Sequence, residues 1–221
     1  CSCVSGTSGV NETHVFISSG EDVRLLCNNA LHDCTSTTWN YNSYSAAVEL
    51  IGSGIKKNNT ERHERLSLGS DCSLNINNIN KEDYGYYTCQ QWTGVNRDQK
   101  QGTDTHVYLH VLHVSSSSSS SSQTEISAGR SVTLFCQLYS YAEGSCDDWI
   151  RSERIELFWV NQTGVKLTRS DSRYQILSSS HHCIITLNTT LLNEYHNREW
   201  RCNVTQRDQV KSSVKYTVKS S

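Results

Sequence analysis

Ten cysteines and nine histidines are the residues of this 221-residue chain whose types could do chemistry. Cysteine can ligate a metal, attack as a thiolate or form a disulfide. No Cys-x-x-Cys and no paired Cys/His spacing occurs, so zinc is not indicated. In a chain that reads as all-β, so many cysteines are disulfide material and place the protein in an oxidising compartment. His106 and His110 share a strand face, but no carboxylate or cysteine joins them at ligand spacing. They read as solvated strand histidines. There is no Gly-x-Ser-x-Gly elbow and no glycine-rich phosphate loop. We therefore expect no enzyme, no metal and no cofactor. A net charge of -2 lacks the basic footprint of a nucleic-acid binder.

The elements that must hold these cysteines alternate with period 2. Val23, Leu25 and Cys27 interleave with Arg24 and Leu26, a strand with its cysteine inward. Trp39 follows Cys27 by 12 residues, and Cys89 follows it by 62. Cys89 closes the run Asp83-Tyr84-Gly85-Tyr86-Tyr87-Thr88-Cys89. This Asp-x-Gly-x-Tyr-x-Cys motif, with the Cys and Trp upstream, resembles a variable-type domain of the immunoglobulin superfamily. The resemblance implies a two-sheet sandwich with a Cys27–Cys89 bridge, Trp39 packed on it and Tyr87 at the corner of strand F. It also implies a B–C loop over residues 31–38 and an F–G loop over 90–101. Gly102-Thr103, followed by Val107, Leu109 and Val111, looks like a reduced joining segment with only half of the usual Gly-x-Gly bulge.

Residues 129–136 repeat the pattern of residues 20–27, with Gly, Val, Leu and Cys at the same offsets. Trp159 lies 23 residues after Cys136 and Trp149 lies 13 after it. Trp159 is the expected core tryptophan, because Ile155, Leu157 and Trp159 alternate cleanly. Trp200 stands where the corner tyrosine would, and Cys202 closes the copy, which resembles a constant-type domain. The fold class is thus all-β, with two immunoglobulin-like sandwiches in tandem. The expected domains are 1–114, variable-type, and 123–221, constant-like. The serine run at 115–122 has no apolar residue with which to build a core and reads as a linker. Each copy carries a second cysteine pair: Cys34 and Cys72, then Cys146 and Cys183. In a variable-type sandwich the start of strand E lies under the B–C loop, so the resemblance implies bridges Cys34–Cys72 and Cys146–Cys183 beside Cys136–Cys202. The partners of Cys1 and Cys3 stay open.

Asn-x-Ser/Thr sequons at Asn11, Asn58, Asn161, Asn188 and Asn203 fit an extracellular glycoprotein. No apolar run reaches the 18 or so residues that span a bilayer, and no signal peptide is seen. We expect a mature ectodomain, cut before any membrane anchor, or a secreted form. The architecture resembles leukocyte receptor ectodomains, among them the multigene immune-type receptors of bony fish (diverse immunoglobulin-domain proteins, novel immune-type receptors). That implies an immune receptor at the outer side of the plasma membrane. Its first domain would bind a cell-surface protein or other extracellular ligand, as a monomer or as a homo- or hetero-dimer. An adhesion molecule or a soluble binder are the alternatives. The expected contact residues are Trp92 as anchor, Arg97 and Lys100 as polar partners, and Tyr41 and Tyr44 as amphipathic area.

Overall fold

Alternation of buried and exposed side chains builds the strands of a computed structural model, which describes residues 12–58, 62–117, 123–125, 129–141, 146–179, 182–191 and 198–219. Cys1, Cys3, Asn11 and residues 118–122 of the serine run lie outside these. Contacts divide the chain into two compact units. The first comprises residues 1–15, 22–77 and 85–109, and the second 16–21, 78–84 and 110–221.

In chain order the first nine strands are β1 (Glu12–Ser18), β2 (Val23–Leu25), β3 (Thr37–Asn42), β4 (Ala47–Gly52), β5 (Ile55–Lys56), β6 (Leu66–Leu68), β7 (Leu74–Ile76), β8 (Gly85–Thr93) and β9 (Gln99–Ser116). In the first unit β2, β7 and β6 form one antiparallel sheet. The other runs β9–β8–β3–β4–β5. Val23 and Leu25 pair with Ile76 and Leu74 and point into the core. Trp39 is in register with Cys89. Both are fully buried, so the Cys27–Cys89 bridge and the indole share the centre of the sandwich. The turn between β4 and β5 has left-handed backbone at Ser53 (φ 59°) and Gly54 (φ 72°). Successive residues with φ > 0 match the right-handed twist of a two-residue hairpin.

The second unit adds β10 (Gln123–Glu125), β11 (Ser131–Tyr139), helix α1 (Cys146–Glu153), β12 (Ile155–Val160), β13 (Tyr174–Ser179), β14 (Ile184–Thr190), β15 (Arg198–Gln206) and β16 (Gln209–Lys219). One sheet runs β10–β16–β15–β12, with β10 parallel to β16. In the other, β13, β14 and β11 are antiparallel, and β11 also pairs with residues 111–116 of β9. Ser115 and Ser116 of the serine run are therefore strand, opposite Phe135 and Leu134. Trp159 is fully buried and in register with Cys202, so the core of the first unit is repeated. Trp149 is buried in the same core, carried by α1. The helix falls within the 23-residue interval between Cys136 and Trp159. Asp147 and Asp148 in its first turn and Arg151 in its last suit the helix dipole.

Candidate binding surface

Cys34 opens a short 3-10 turn, Cys34–Ser36, ahead of β3. A disulfide joins it to Cys72 with Cα atoms 5.3 Å apart. Cys72 sits in left-handed backbone (φ 63°). Its carbonyl accepts a hydrogen bond from Trp39 Nε1 at 2.9 Å, so the bridge is tied to the core indole. Two further loops fasten on the same turn. Gly54 N donates to Thr37 O at 2.9 Å. A side chain at position 54 would run into the Cys34 carbonyl, so glycine is required by space as well as by φ. Arg97 Nη1 donates to Thr35 O. Residues 34–37 thus hold three loops together.

The turn before Cys72 has its own support. Asp71 accepts from the Ser73 hydroxyl at 2.6 Å and from the Arg24 guanidinium. These bonds, Ser73 first, hold its carboxyl at about 2, below the ordinary 3.8. A carboxyl depressed in the folded state stabilises above its unfolded pKa and loses that contribution as pH falls through the folded value. Asp71→Asn should therefore be less stable than the parent above pH 3.8, with the gap closing as pH falls towards 2. Paired denaturation curves from pH 5 to 2 check this, and a gap that widens on acidification contradicts it. The pair is exposed, so the effect is small.

The loop between β8 and β9 is shorter than expected. Gln91, Trp92 and Thr93 pair with Gln101, Lys100 and Gln99, so only residues 94–98 turn. Gly94 (φ 93°) and Arg97 (φ 52°) close that turn, with Arg97 N on Gly94 O at 3.2 Å. The register shifts between Cys89 and Gln91, and Gly102 opposite has φ 67°. One glycine therefore suffices for the bulge.

Trp92 accordingly lies on a strand, half-buried, its Nε1 donating to Gln90 Oε1 at 3.3 Å. Lys100, its cross-strand neighbour, pairs with Asp104 at 2.8 Å. Tyr41 does not belong to a contact surface. It is 2% exposed, its ring against Tyr87 at 4.9 Å and under the Arg62 guanidinium at 4.0 Å. Tyr44 is 67% exposed, but in the turn where Ser43 N bonds Ala46 O. That turn is at the far end of β3 from Thr37, about 20 Å away at 3.3 Å per residue. The loop end therefore unites Arg97 with Thr35 and leaves Tyr44 out.

Three aliphatics were missed. Val95 at the tip of the β8–β9 turn is fully exposed, Ile55 is 70% exposed and Leu31 is 40% exposed. Leu31 and Val95 sit on loops that meet at residues 34–37, and Ile55 opens β5 directly after Gly54. Their signal was a lone aliphatic within a polar turn, as in Gly94-Val95-Asn96 and Gly54-Ile55-Lys56.

The remaining bridges join Cys27 to Cys89, Cys136 to Cys202 and Cys146 to Cys183, with Cα atoms 5.7, 6.3 and 5.8 Å apart. Cys183, like Cys72, has left-handed backbone (φ 51°). Among the described sequons Asn58 is exposed and Asn161, Asn188 and Asn203 are half-buried. Asn161 Oδ1 accepts from Thr163 N, Thr163 Oγ1 and Val165 N, fixing its turn. His110 is fully buried, not solvated, with Nδ1 2.8 Å from the Ser140 hydroxyl. Among the described residues no group of three His, Cys, Asp or Glu could hold a metal ion. No helix there is long and apolar enough to cross a membrane.

Residues 10–112 match the family model of the immunoglobulin V-set domain. That stretch therefore belongs to the immunoglobulin superfamily, and the second disulfide-centred sandwich repeats its Cys–Trp–Cys core. A stretch of 78 residues is 37% identical to Contactin-3 of Homo sapiens. It covers 35% of this chain and 7% of that relative's length. Murine CEACAM1b is similar at 20% identity and a TM-score of 0.36, over 92% of this chain and 95% of that one. A complex of Dpr2 Ig1-Ig2 with DIP-Theta Ig1-Ig3 gives 13% identity and a TM-score of 0.36, over 95% and 94%. Structural likeness at a TM-score of 0.36 carries no inference about function.

Proposed function

We propose that this chain is the glycosylated ectodomain of a cell-surface immune receptor that recognises another surface protein through its first immunoglobulin domain. The first unit is then the recognition domain and the second a constant-like spacer. The observation that carries this reading is the fastening of three loops to residues 34–37 with Val95, Ile55 and Leu31 left exposed. Loops already fixed lose less entropy on binding, so exposed apolar side chains on them convert more of their burial into affinity. A superfamily adhesion molecule is the second reading, supported by the local identity to Contactin-3.

Fluorescent tetramers of the chain, titrated on a panel of leukocyte lines, test the surface. Val95→Asp should weaken cell binding by at least tenfold, about 1.4 kcal/mol, with an unchanged melting temperature. Arg97→Ala should weaken binding by releasing the β8–β9 turn from Thr35 O. Trp92→Ala should lower the melting temperature, since the indole is half in the sheet. Cell binding that survives Val95→Asp would show that the contact surface lies elsewhere.

A further inference from the structure

The sheet of β13, β14 and β11 turns one face away from the core of the second unit. Burial alternates along its strands. Leu134, Leu187 and Ile176 are buried, and Phe135, Thr186 and Leu177 lie on the opposite face. Phe135 and Leu177 stand in register with Thr186, one on each side of it. Phe135 is 38% exposed and Leu177 56%. Half-buried Ile184 lies two residues from Thr186 on the same face. This is an apolar patch on a sheet face that is otherwise polar. On the other side of Thr186, again two residues away, is Asn188, the acceptor of the sequon Asn188-Thr189-Thr190. Its direct cross-strand neighbours are Thr133 and Gln175, so Phe135 and Leu177 are its diagonal neighbours. Diagonal pairs start about 7–8 Å apart, within reach of a long side chain. Asn188 Nδ2 donates to Gln175 Oε1 at 3.5 Å, at the exposed surface.

We propose that Asn188 carries an N-linked glycan whose first N-acetylglucosamine lies on Phe135 and Leu177, so that the chain covers this apolar face with its own carbohydrate. The inference rests on the extracellular part of the reading above. The new bond joins Asn188 Nδ2 to C1 of the sugar, delivered by a lipid-linked oligosaccharide pyrophosphate. The C1–O bond to the pyrophosphate breaks, the lipid pyrophosphate leaves and Nδ2 loses one proton. The remaining N–H can still donate to Gln175. A pyranose suits the patch because its C–H face is apolar and its rim carries hydroxyls. It can shield the Phe135 ring and still present a wet surface. A tethered sugar also pays none of the translational entropy that a free partner would lose on docking. Asn203 offers a contrast. Phe158, its neighbour in register, already lies beside the Lys166 ammonium at 4.8 Å.

The test uses the full chain secreted from cultured animal cells. Glycopeptide mapping by mass spectrometry should find Asn188 occupied. Asn188→Gln and Thr190→Ala each abolish the sequon, and each should lower the melting temperature of the second unit by about 4 °C or more. The decisive comparison repeats the loss of glycan in a Phe135→Ala background, where it should cost less than about 1 °C, because the two changes remove one shared contact. Should Phe135→Ala fail to fold, Leu177→Ala takes its place, with at least half of the glycan's effect expected to vanish. An unoccupied Asn188 in a chain whose other sequons carry glycans overturns the proposal. So does an equal fall with and without Phe135, which would make the glycan's effect independent of the ring. A chain with no glycan at any sequon would sink the extracellular reading together with this inference. Cell binding that survives Val95→Asp bears on the loop end alone.

Discussion

A chain with both Cys34 and Cys72 replaced by alanine should be less stable by about 4 kcal/mol. The bridge closes a loop of 38 residues, and the chain-entropy relation for that length gives this figure. For a domain of roughly 100 residues the loss corresponds to a fall in melting temperature of more than about 15 °C. Alanine is the right probe at 72, because the site is buried and a hydroxyl there would need a new partner. The loss should appear in urea unfolding followed by circular dichroism, with the Cys27–Cys89 bridge intact by peptide mapping. A cost below about 1 kcal/mol would mean that the unfolded chain is compact enough without the bridge to cancel its entropic effect.

Trp39→Ala should cost about 3–5 kcal/mol, the range for emptying a buried aromatic site. Trp39→Phe separates two parts of that cost. It keeps most of the volume but orphans the Cys72 carbonyl, which now accepts Nε1 at 2.9 Å. We expect about 1–3 kcal/mol for the lost partner of a buried acceptor. The matching bond in the second unit, Trp159 Nε1 to Ile185 O, is longer at 3.4 Å. Trp159→Phe should therefore cost less. The two Phe variants, compared by the same denaturant series, decide the point. Equal costs would assign the effect to packing alone. Because Trp39 touches the Cys72 backbone, its substitution and loss of the bridge should not add.

Much of this architecture was legible in the chain because it rests on short-range periodicity and cysteine spacing. Val23, Leu25 and Cys27 show their inward face by alternation alone. The second cysteine pair was legible because it recurs in both halves. Tyr41 was misplaced although its parity was on the page. It stands two residues after Trp39 on one strand, so it shares the inward face. The β8–β9 turn was drawn too long because Gln99, Lys100 and Gln101 are exposed strand residues with the composition of a loop. Periodicity is silent where both faces are polar. Helix α1 is eight residues long and mostly polar, too short for a periodic signal. His110 owes its burial to Phe16 and Trp149, whose rings lie within 4.7 Å of its own and which are distant in sequence.

The docking of Gly54 and Arg97 on residues 34–37 also bears on how this surface can change over generations. Three sites are locked by architecture: glycine at 54, a long donor at 97 and cysteine at 34. Leu31, His32, Ile55, Val95 and Asn96 are exposed beside the same turn, whereas Asp33 accepts a bond from the Thr35 hydroxyl and belongs with the clamp. Surface substitutions at such exposed positions usually move stability by less than about 0.5 kcal/mol. On the reading proposed above, recognition can drift through these five positions while the frame stays fixed, and a library randomised at those five would explore new ligands without first having to be rescued for folding.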